Sequence, residues 1–129
     1  MKIGIVSALC FIMLSGCGSP DFMSTDPSKM TIAQKESLQG EHCKTTKKLS
    51  AAVCECVLGA TKKVAGDEYE KFMTYASISF LTKLGRISRD QQMDMKNKMI
   101  DKDRNILNRY NEIGQEVNRI CLSESDFTQ

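Results

Sequence analysis

The 129-residue chain has no tryptophan, and aromatic residues make up only 6% of it. Its core must therefore be built from aliphatic side chains, methionine and a few rings. Neither sign of charge dominates, because 18 basic side chains stand against 16 acidic ones. Nucleic-acid binding usually needs a concentrated basic face, and the lysines on either side of Cys54 and Cys56 are more simply solvated helix residues. The composition therefore argues against a nucleic-acid partner.

Motifs of the common enzyme classes are also missing. The chain has one histidine, His42, and no Gly-x-Ser-x-Gly, Ser-x-x-Lys, His-Glu-x-x-His or phosphate-binding glycine loop. A lone histidine beside a cysteine at a helix end is expected to be a surface or capping residue rather than a general base. The Cys-x-x-Cys-His pattern of c-type haem and the Cys-x-x-Cys of redox enzymes are absent as well. We therefore expect neither catalytic activity nor a cofactor.

The first 17 residues have the features of an export signal. Lys2 supplies a positive charge, residues 3–14 form an apolar run, and Ser15 and Gly16 are small residues directly before Cys17. The apolar run is too short to span a bilayer. Two interpretations are open: Cys17 carries lipid at the cut site, or the segment is an ordinary secretory signal in which Cys17 is incidental.

The stretch from Leu14 to Cys17 resembles the lipobox of bacterial lipoproteins. The resemblance implies that residues 1–16 are removed as a signal peptide, that the Cys17 thiol carries diacylglycerol, and that the new amine is acylated. Membrane lipid is then the first partner. In double-membraned bacteria, Gly18 in place of an aspartate implies transport to the outer membrane, where the protein would face the periplasm. Such an anchor is durable, because each buried methylene contributes about 0.8 kcal/mol.

Composition divides the rest of the chain into three parts. Cleavage before Cys17 removes Lys2 and no acidic residue, which lowers the basic count from 18 to 17 against 16 acidic side chains. Residues 17–30 hold the lipidated cysteine and a flexible tether, since they contain both prolines and no apolar period. Residues 31–122 form the predicted helical domain, and residues 123–129 are predicted to be a disordered tail.

Periodicity and capping signals predict helices and no strand. Three capping boxes can be recognised: Thr31 with Gln34, Asp67 with Glu70, and Ser88 with Gln91. The predicted helical segments are 31–43, 47 or 50 to 65, 67–84 and 89–121. The last would be about 48 Å long, more than its partners can cover, so that it must kink or project. The predicted fold class is all-α, a small bundle of three or four helices stapled by disulfides.

Four cysteines follow the lipobox: Cys43, Cys54, Cys56 and Cys121. An even number in an exported chain is typical of a disulfide framework. A bond between Cys54 and Cys56 would be strained, because residues two apart point to different sides of a helix. Of the two remaining pairings, direction on the helical wheel favours Cys43 with Cys54 and Cys56 with Cys121. The first of these bonds requires a turn near residues 44–48.

The preferred functional interpretation is a non-enzymatic interaction or envelope-assembly module, such as a secretion accessory, with a protein partner in the cell envelope. The layout is similar to that of small helical pilotin-type lipoproteins, which bind a segment of a secretin. This fold-level resemblance implies a groove between two helices for an amphipathic partner helix.

Two alternatives from other classes remain. In the first, Cys54 and Cys56 handle Cu(I) or thiols in the periplasm, with His42 and several methionines as further soft ligands. Against it, Met93 and Met95 are two residues apart and cannot face one ion from a regular helix. The second alternative is a structural coat lipoprotein without a specific partner.

Overall fold

A computed structural model describes residues 25–122 of the chain. Within this range there are five α-helices and no strand, which confirms the all-α bundle. The helices are α1 (Ile32–Glu41), α2 (Ala51–Ala65), α3 (Tyr69–Lys83), α4 (Arg89–Lys102) and α5 (Ile106–Cys121). The predicted signal peptide, Cys17, most of the predicted tether and the predicted tail lie outside the described residues. None of the described helices is long and apolar enough to cross a bilayer.

Two of the three predicted capping boxes are formed. Thr31 Oγ1 accepts a hydrogen bond from the Gln34 amide while Gln34 Oε1 accepts one from the Thr31 amide. Ser88 and Gln91 make the same reciprocal pair at the start of α4. The third box, at Asp67, was predicted wrongly. The connection from α2 to α3 is a single 3₁₀ turn over Gly66–Glu68, so α3 begins only at Tyr69 and no side chain caps it.

The long helix predicted over residues 89–121 is divided into α4 and α5. Asp103 leaves the helical conformation, with φ −146° and ψ 97°. Its carboxylate accepts hydrogen bonds from the Asn105 amide (3.1 Å) and from Lys71 Nζ (2.8 Å). A short acidic side chain that bonds to the backbone ahead of it competes with the helix at this point. The predicted kink is therefore a complete break.

The helix α3 is the centre of the bundle, and α4 is its outermost element. Eight residues of α3 are buried, whereas no residue of α4 is. The helix α1 runs alongside α3 in the same direction. Tyr69 Oη, at the start of α3, donates to Glu36 in the middle of α1. Arg86, just after α3, pairs with Glu41 at the end of α1, and both distances are 2.7 Å. The buried core is formed by Met30, Leu38, Ala65, Phe72, Met73, Ala76, Ile78, Phe80, Leu81, Ile87, Ile113 and Val117.

The end of the segment predicted as a tether is packed on the bundle. Pro27–Lys29 form a 3₁₀ turn that is capped by Asp26, whose carboxylate accepts from the Ser28 amide at 3.0 Å. Pro27 and Met30 are buried. The composition of this stretch is typical of a tether, but the apolar contact of Pro27 and Met30 with the bundle fixes its position. The helical domain therefore begins a few residues before Thr31.

Two disulfides cross-link one end of the bundle. Cys43 is bonded to Cys54 and Cys56 to Cys121, with Cα–Cα distances of 5.9 and 5.8 Å. These are the pairs that the sequence favoured. The required turn is present: α1 widens into a π-helical turn over His42–Thr46, and Lys48 then adopts a positive φ of 55°.

Candidate binding cleft

An open cleft of about 590 Å³ lies between α3 and α5, in the size range of ligand sites in proteins. The end of α1, the segment that follows it and one face of α2 complete its walls. Its lining residues are Gln39, His42, Cys43, Lys47, Leu49, Val57, Thr61, Phe72, Ala76, Ser79, Phe80, Lys83, Tyr110, Asn111, Gly114, Gln115, Val117, Asn118 and Leu122.

The cleft exists because α3 and α5 are in contact near their beginnings but are held apart near their ends. At the start of both helices the rings of Phe72 and Tyr110 stack, with centroids 5.0 Å apart. We call this the ring end of the cleft. At the other end, the bond between Cys56 and Cys121 fixes the end of α5 to α2 rather than to α3. The space left beside α3 is the cleft.

The floor of the cleft is apolar. The Phe80 ring lies against the His42 imidazole, with centroids 4.7 Å apart. Both residues are buried, and Val57 and Val117 line the same floor from α2 and α5. The backbone of His42 forms the C-cap of α1, as one of the two expected roles required. The other expectation, a side chain at the surface, was wrong, because the ring packs on Phe80. The floor offers flat apolar surface to an occupant.

His42 is an uncharged group at neutral pH. Burial lowers its pKa below the usual value, and the nearby positive charges of Lys47 and Lys83 lower it further. A neutral imidazole has one nitrogen that donates and one that accepts a hydrogen bond. The cleft therefore presents a ring that can stack and hydrogen-bond at the same time.

Several uncharged polar side chains also line the cleft. Gln39 Oε1 is buried and has no hydrogen-bond partner among the described residues. Asn111, Gln115 and Asn118 lie along α5 at spacings of four and three residues, which places them on one face of that helix. A buried acceptor without a partner costs free energy, so Gln39 is a polar residue that weakens the packing beside the cleft.

Two lysines mark the end of the cleft opposite the ring end. Lys47 and Lys83 line the cleft, are exposed, and form no ion pair with any residue in the range 25–122. We call this the lysine end. The positive charges of both lysines contribute to the lowered pKa of His42. The lysine end therefore favours an occupant with negative charge.

The residues proposed for copper or thiol chemistry are not arranged for it. All four cysteines from Cys43 onward are in disulfides, so they provide no thiolate ligand in this form. Met95 and Met99 pack against the core from α4, away from Cys54, and Met93 is 54% exposed. Within residues 25–122 no cluster of three His, Cys, Asp or Glu side chains is arranged to hold a metal ion.

The residue pattern alone does not predict which side chains line the cleft. A signal was present: the amides at positions 111, 115 and 118 form an uncharged polar stripe on a helix that otherwise carries charged pairs. One such pair joins Arg119 to Glu116.

Comparisons of the chain with protein-family models, with curated protein sequences and with solved structures find no significant match.

Proposed function

We propose that the protein is an outer-membrane lipoprotein, anchored through acylated Cys17, that binds a polypeptide segment of another envelope component in the cleft between α3 and α5. The observation that carries this proposal is the combination of an apolar floor around Phe80 with the accessible side-chain amides of Asn111, Gln115 and Asn118 along α5. The protein acts as a tethered adaptor and performs no chemistry on its partner.

A polypeptide fits this cleft better than a lipid chain does. An acyl chain would satisfy the floor at Phe80 but has no group that pairs with the side-chain amides of α5. A polypeptide segment brings apolar side chains for the floor and amide donors for the oxygens. The amide groups therefore favour a protein partner over a hydrophobic small molecule.

The anchor would hold the cleft near the membrane while leaving it accessible. Ten residue steps separate Cys17 from Pro27, which is packed on the bundle. A chain of that length spans at most about 35 Å. The helical domain would then sample a shallow layer next to the headgroups, which favours a partner that lies in or beside the same membrane.

Site-specific photo-cross-linking in cells tests the proposal. A photo-reactive residue is placed at Asn118, on the rim of the cleft, and in a matched control at Asn97 of α4, which is also exposed and does not line the cleft. We expect a discrete envelope protein to be trapped from position 118 and not from position 97. Cys17→Ser should reduce the yield, because the unanchored protein loses its local concentration.

Two results would contradict the proposal. If both positions give the same diffuse pattern, the cleft is not the docking site. If neither gives a discrete product while the protein stays membrane-bound, the coat lipoprotein becomes the better interpretation.

A further inference from the structure

We propose that the polypeptide segment bound by the cleft is acidic, and that it places a side-chain carboxylate beside Lys47 and Lys83 while it packs against the α5 backbone at Gly114. This inference rests on the proposed docking function, because it names the chemistry of the partner in the same cleft. Two independent observations support it. One is the distribution of charge along the cleft walls, and the other is a space beside α5 that the described residues do not fill.

The cleft walls carry positive charge without compensating negative charge. Lys47 and Lys83 line the cleft, whereas no aspartate or glutamate between residues 25 and 122 does so. The chain as a whole has 16 acidic side chains against 18 basic ones, so the cleft differs from the protein's average composition. Within the described part of the chain, nothing supplies a carboxylate for these two ammonium groups.

The acidic side chains of α5 are paired outside the cleft. Glu112 and Glu116 belong to this helix, which forms one long wall, but neither lines the cleft. Glu112 pairs with Arg109 and Glu116 with Arg119, both on the same helix. The α5 wall therefore offers the two lysines no carboxylate, and their charge is available to a partner.

The lysine charges act on the interior of the cleft. Burial lowers the pKa of His42, and the charges of both lysines lower it further. The potential at this part of the floor is therefore positive, directly beside the apolar Phe80 ring. A hydrogen bond between an ammonium group and a carboxylate is stronger than one between neutral groups. We therefore expect the bound segment to have an acidic residue near an apolar one.

Gly114 leaves part of the α5 wall without a side chain. The four residues that surround it on the helix surface, three and four positions away, all line the cleft: Tyr110, Asn111, Val117 and Asn118. A Cβ atom at Gly114 would meet no atom within 4 Å, so the described residues do not use this space. An occupant can therefore contact the α5 backbone at Gly114 directly.

Two dyes with the same rings test the lysine end in the full-length Cys17→Ser protein, which has no acyl anchor and needs no detergent. Anilinonaphthalene sulfonate is negatively charged, and phenylnaphthylamine lacks the sulfonate. Combining Lys47→Gln with Lys83→Gln should weaken binding of the charged dye about tenfold, or about threefold for each lysine, and leave binding of the neutral dye unchanged.

Lys63→Gln is the matched control for the dyes, because Lys63 is exposed on α2 and does not line the cleft. It should not change the affinity for either dye. An affinity for the charged dye that is unchanged in the double variant, or reduced equally in the control, would overturn the anion site at the lysine end.

Charge reversal in cells tests the acidity of the partner. Lys47→Glu with Lys83→Glu should lower the cross-linking yield from position 118 by more than about tenfold, because like charges then face each other. Lys63→Glu should leave the yield unchanged. Mass spectrometry of the trapped product should find an aspartate or glutamate in the bound segment, and its replacement by lysine should restore the yield. An unchanged yield, or a bound segment without an acidic residue, would overturn the inference.

Gly114→Ala tests the contact with the α5 backbone. Gly59→Ala is the matched control, since Gly59 lies inside α2, has free space for a Cβ atom and does not line the cleft. Both variants should raise the midpoint of thermal unfolding, because alanine favours a helix more than glycine does. Only Gly114→Ala should lower the cross-linking yield from position 118. Equal yields in the two variants would overturn the contact at Gly114.

The acidic segment and the docking function fail separately. A partner that is trapped equally well after charge reversal would leave the docking function in place and remove the acidic segment. Charge-dependent dye binding without any trapped partner would reject the docking function, and the acidic polypeptide with it, and leave only an anion site at the lysine end.

Discussion

The His42 imidazole lies over the Phe80 ring with centroids 4.7 Å apart and planes inclined by 31°. This contact joins the end of α1 to α3 at the floor of the cleft. It also places a titratable ring where protonation is unfavourable, because the ring is buried and faces two lysines. Acid sensitivity of the domain is therefore expected to begin at this pair.

We expect the free energy of unfolding to decrease as pH falls through about 6.5, the unperturbed pKa of histidine. The pKa of His42 is lowered in the folded protein, so in this range the unfolded chain binds the proton more readily and unfolding is favoured. Urea unfolding at about pH 7.5 and about pH 5.5, above the titration of carboxylates, measures the change. His42→Gln should remove this pH dependence; an unchanged dependence in the variant would contradict the assignment.

Gln39 should be a residue at which stability and binding are opposed. Its Oε1 is buried without a partner, so Gln39→Met is expected to raise the free energy of unfolding by about 1 kcal/mol. Because Gln39 lines the cleft, the new side chain is expected to change the cleft wall and lower the cross-linking yield from position 118. Ser77→Ala is the matched control, since Ser77 Oγ is also buried and unpaired but does not line the cleft. It should stabilise the protein without affecting binding. Loss of binding in both variants would indicate a general change of the bundle instead.

The two disulfides should contribute unequally to stability. They close sequence separations of 65 residues for Cys56–Cys121 and 11 for Cys43–Cys54. The chain-entropy model gives about 4 kcal/mol for the longer loop and about 3 kcal/mol for the shorter one, as upper values. Thermal unfolding of the two double Cys→Ser variants compares them directly. A larger loss on removing Cys43–Cys54 would show that native-state packing, not loop closure, determines the effect.

The start of α4 relies on its cap, because the helix has no buried residue and only the partly buried Met95 and Met99 pack against the core. Ser88→Ala removes the acceptor for the Gln91 amide and should cost about 1 kcal/mol. Ser88→Asp keeps an acceptor at the N-cap and should retain most of the stability. Chemical unfolding of both variants makes the comparison; equal losses would mean that the hydroxyl acts through another contact.

Local signals explain which parts of the fold could be predicted from the sequence. Capping boxes at Thr31 and Ser88 act over three residues, and their outcome does not depend on distant packing. The disulfide pairing followed from helix geometry, since Cys54 and Cys56 point to different sides. The capping box predicted at Asp67 does not form, because the short connection from α2 to α3 places Asp67 in a 3₁₀ turn. The length of that connection depends on how the two helices pack, which local sequence does not show.

The cleft could not be derived in the same way. It results from the distance between α3 and α5, which depends on the stacking of Phe72 on Tyr110 at one end and on the disulfide at Cys121 at the other. Tyr110 and Val117 are seven residues apart, the spacing of one helix face, and both pack against neighbours. Periodicity does not indicate where neighbouring helices separate. It therefore cannot distinguish a residue of the core from a residue that lines a cleft.

The disulfides also create a covalent route for mechanical force. Tension applied between the tether and the segment after Leu122 would travel from α1 to Cys43, cross to Cys54, pass through Cys56, and cross again to Cys121. Residues 57–120 lie outside this route and carry no load while both bonds hold. Such tension would therefore stretch α1 first and leave α3 and α5, which form the two long walls of the cleft, in place.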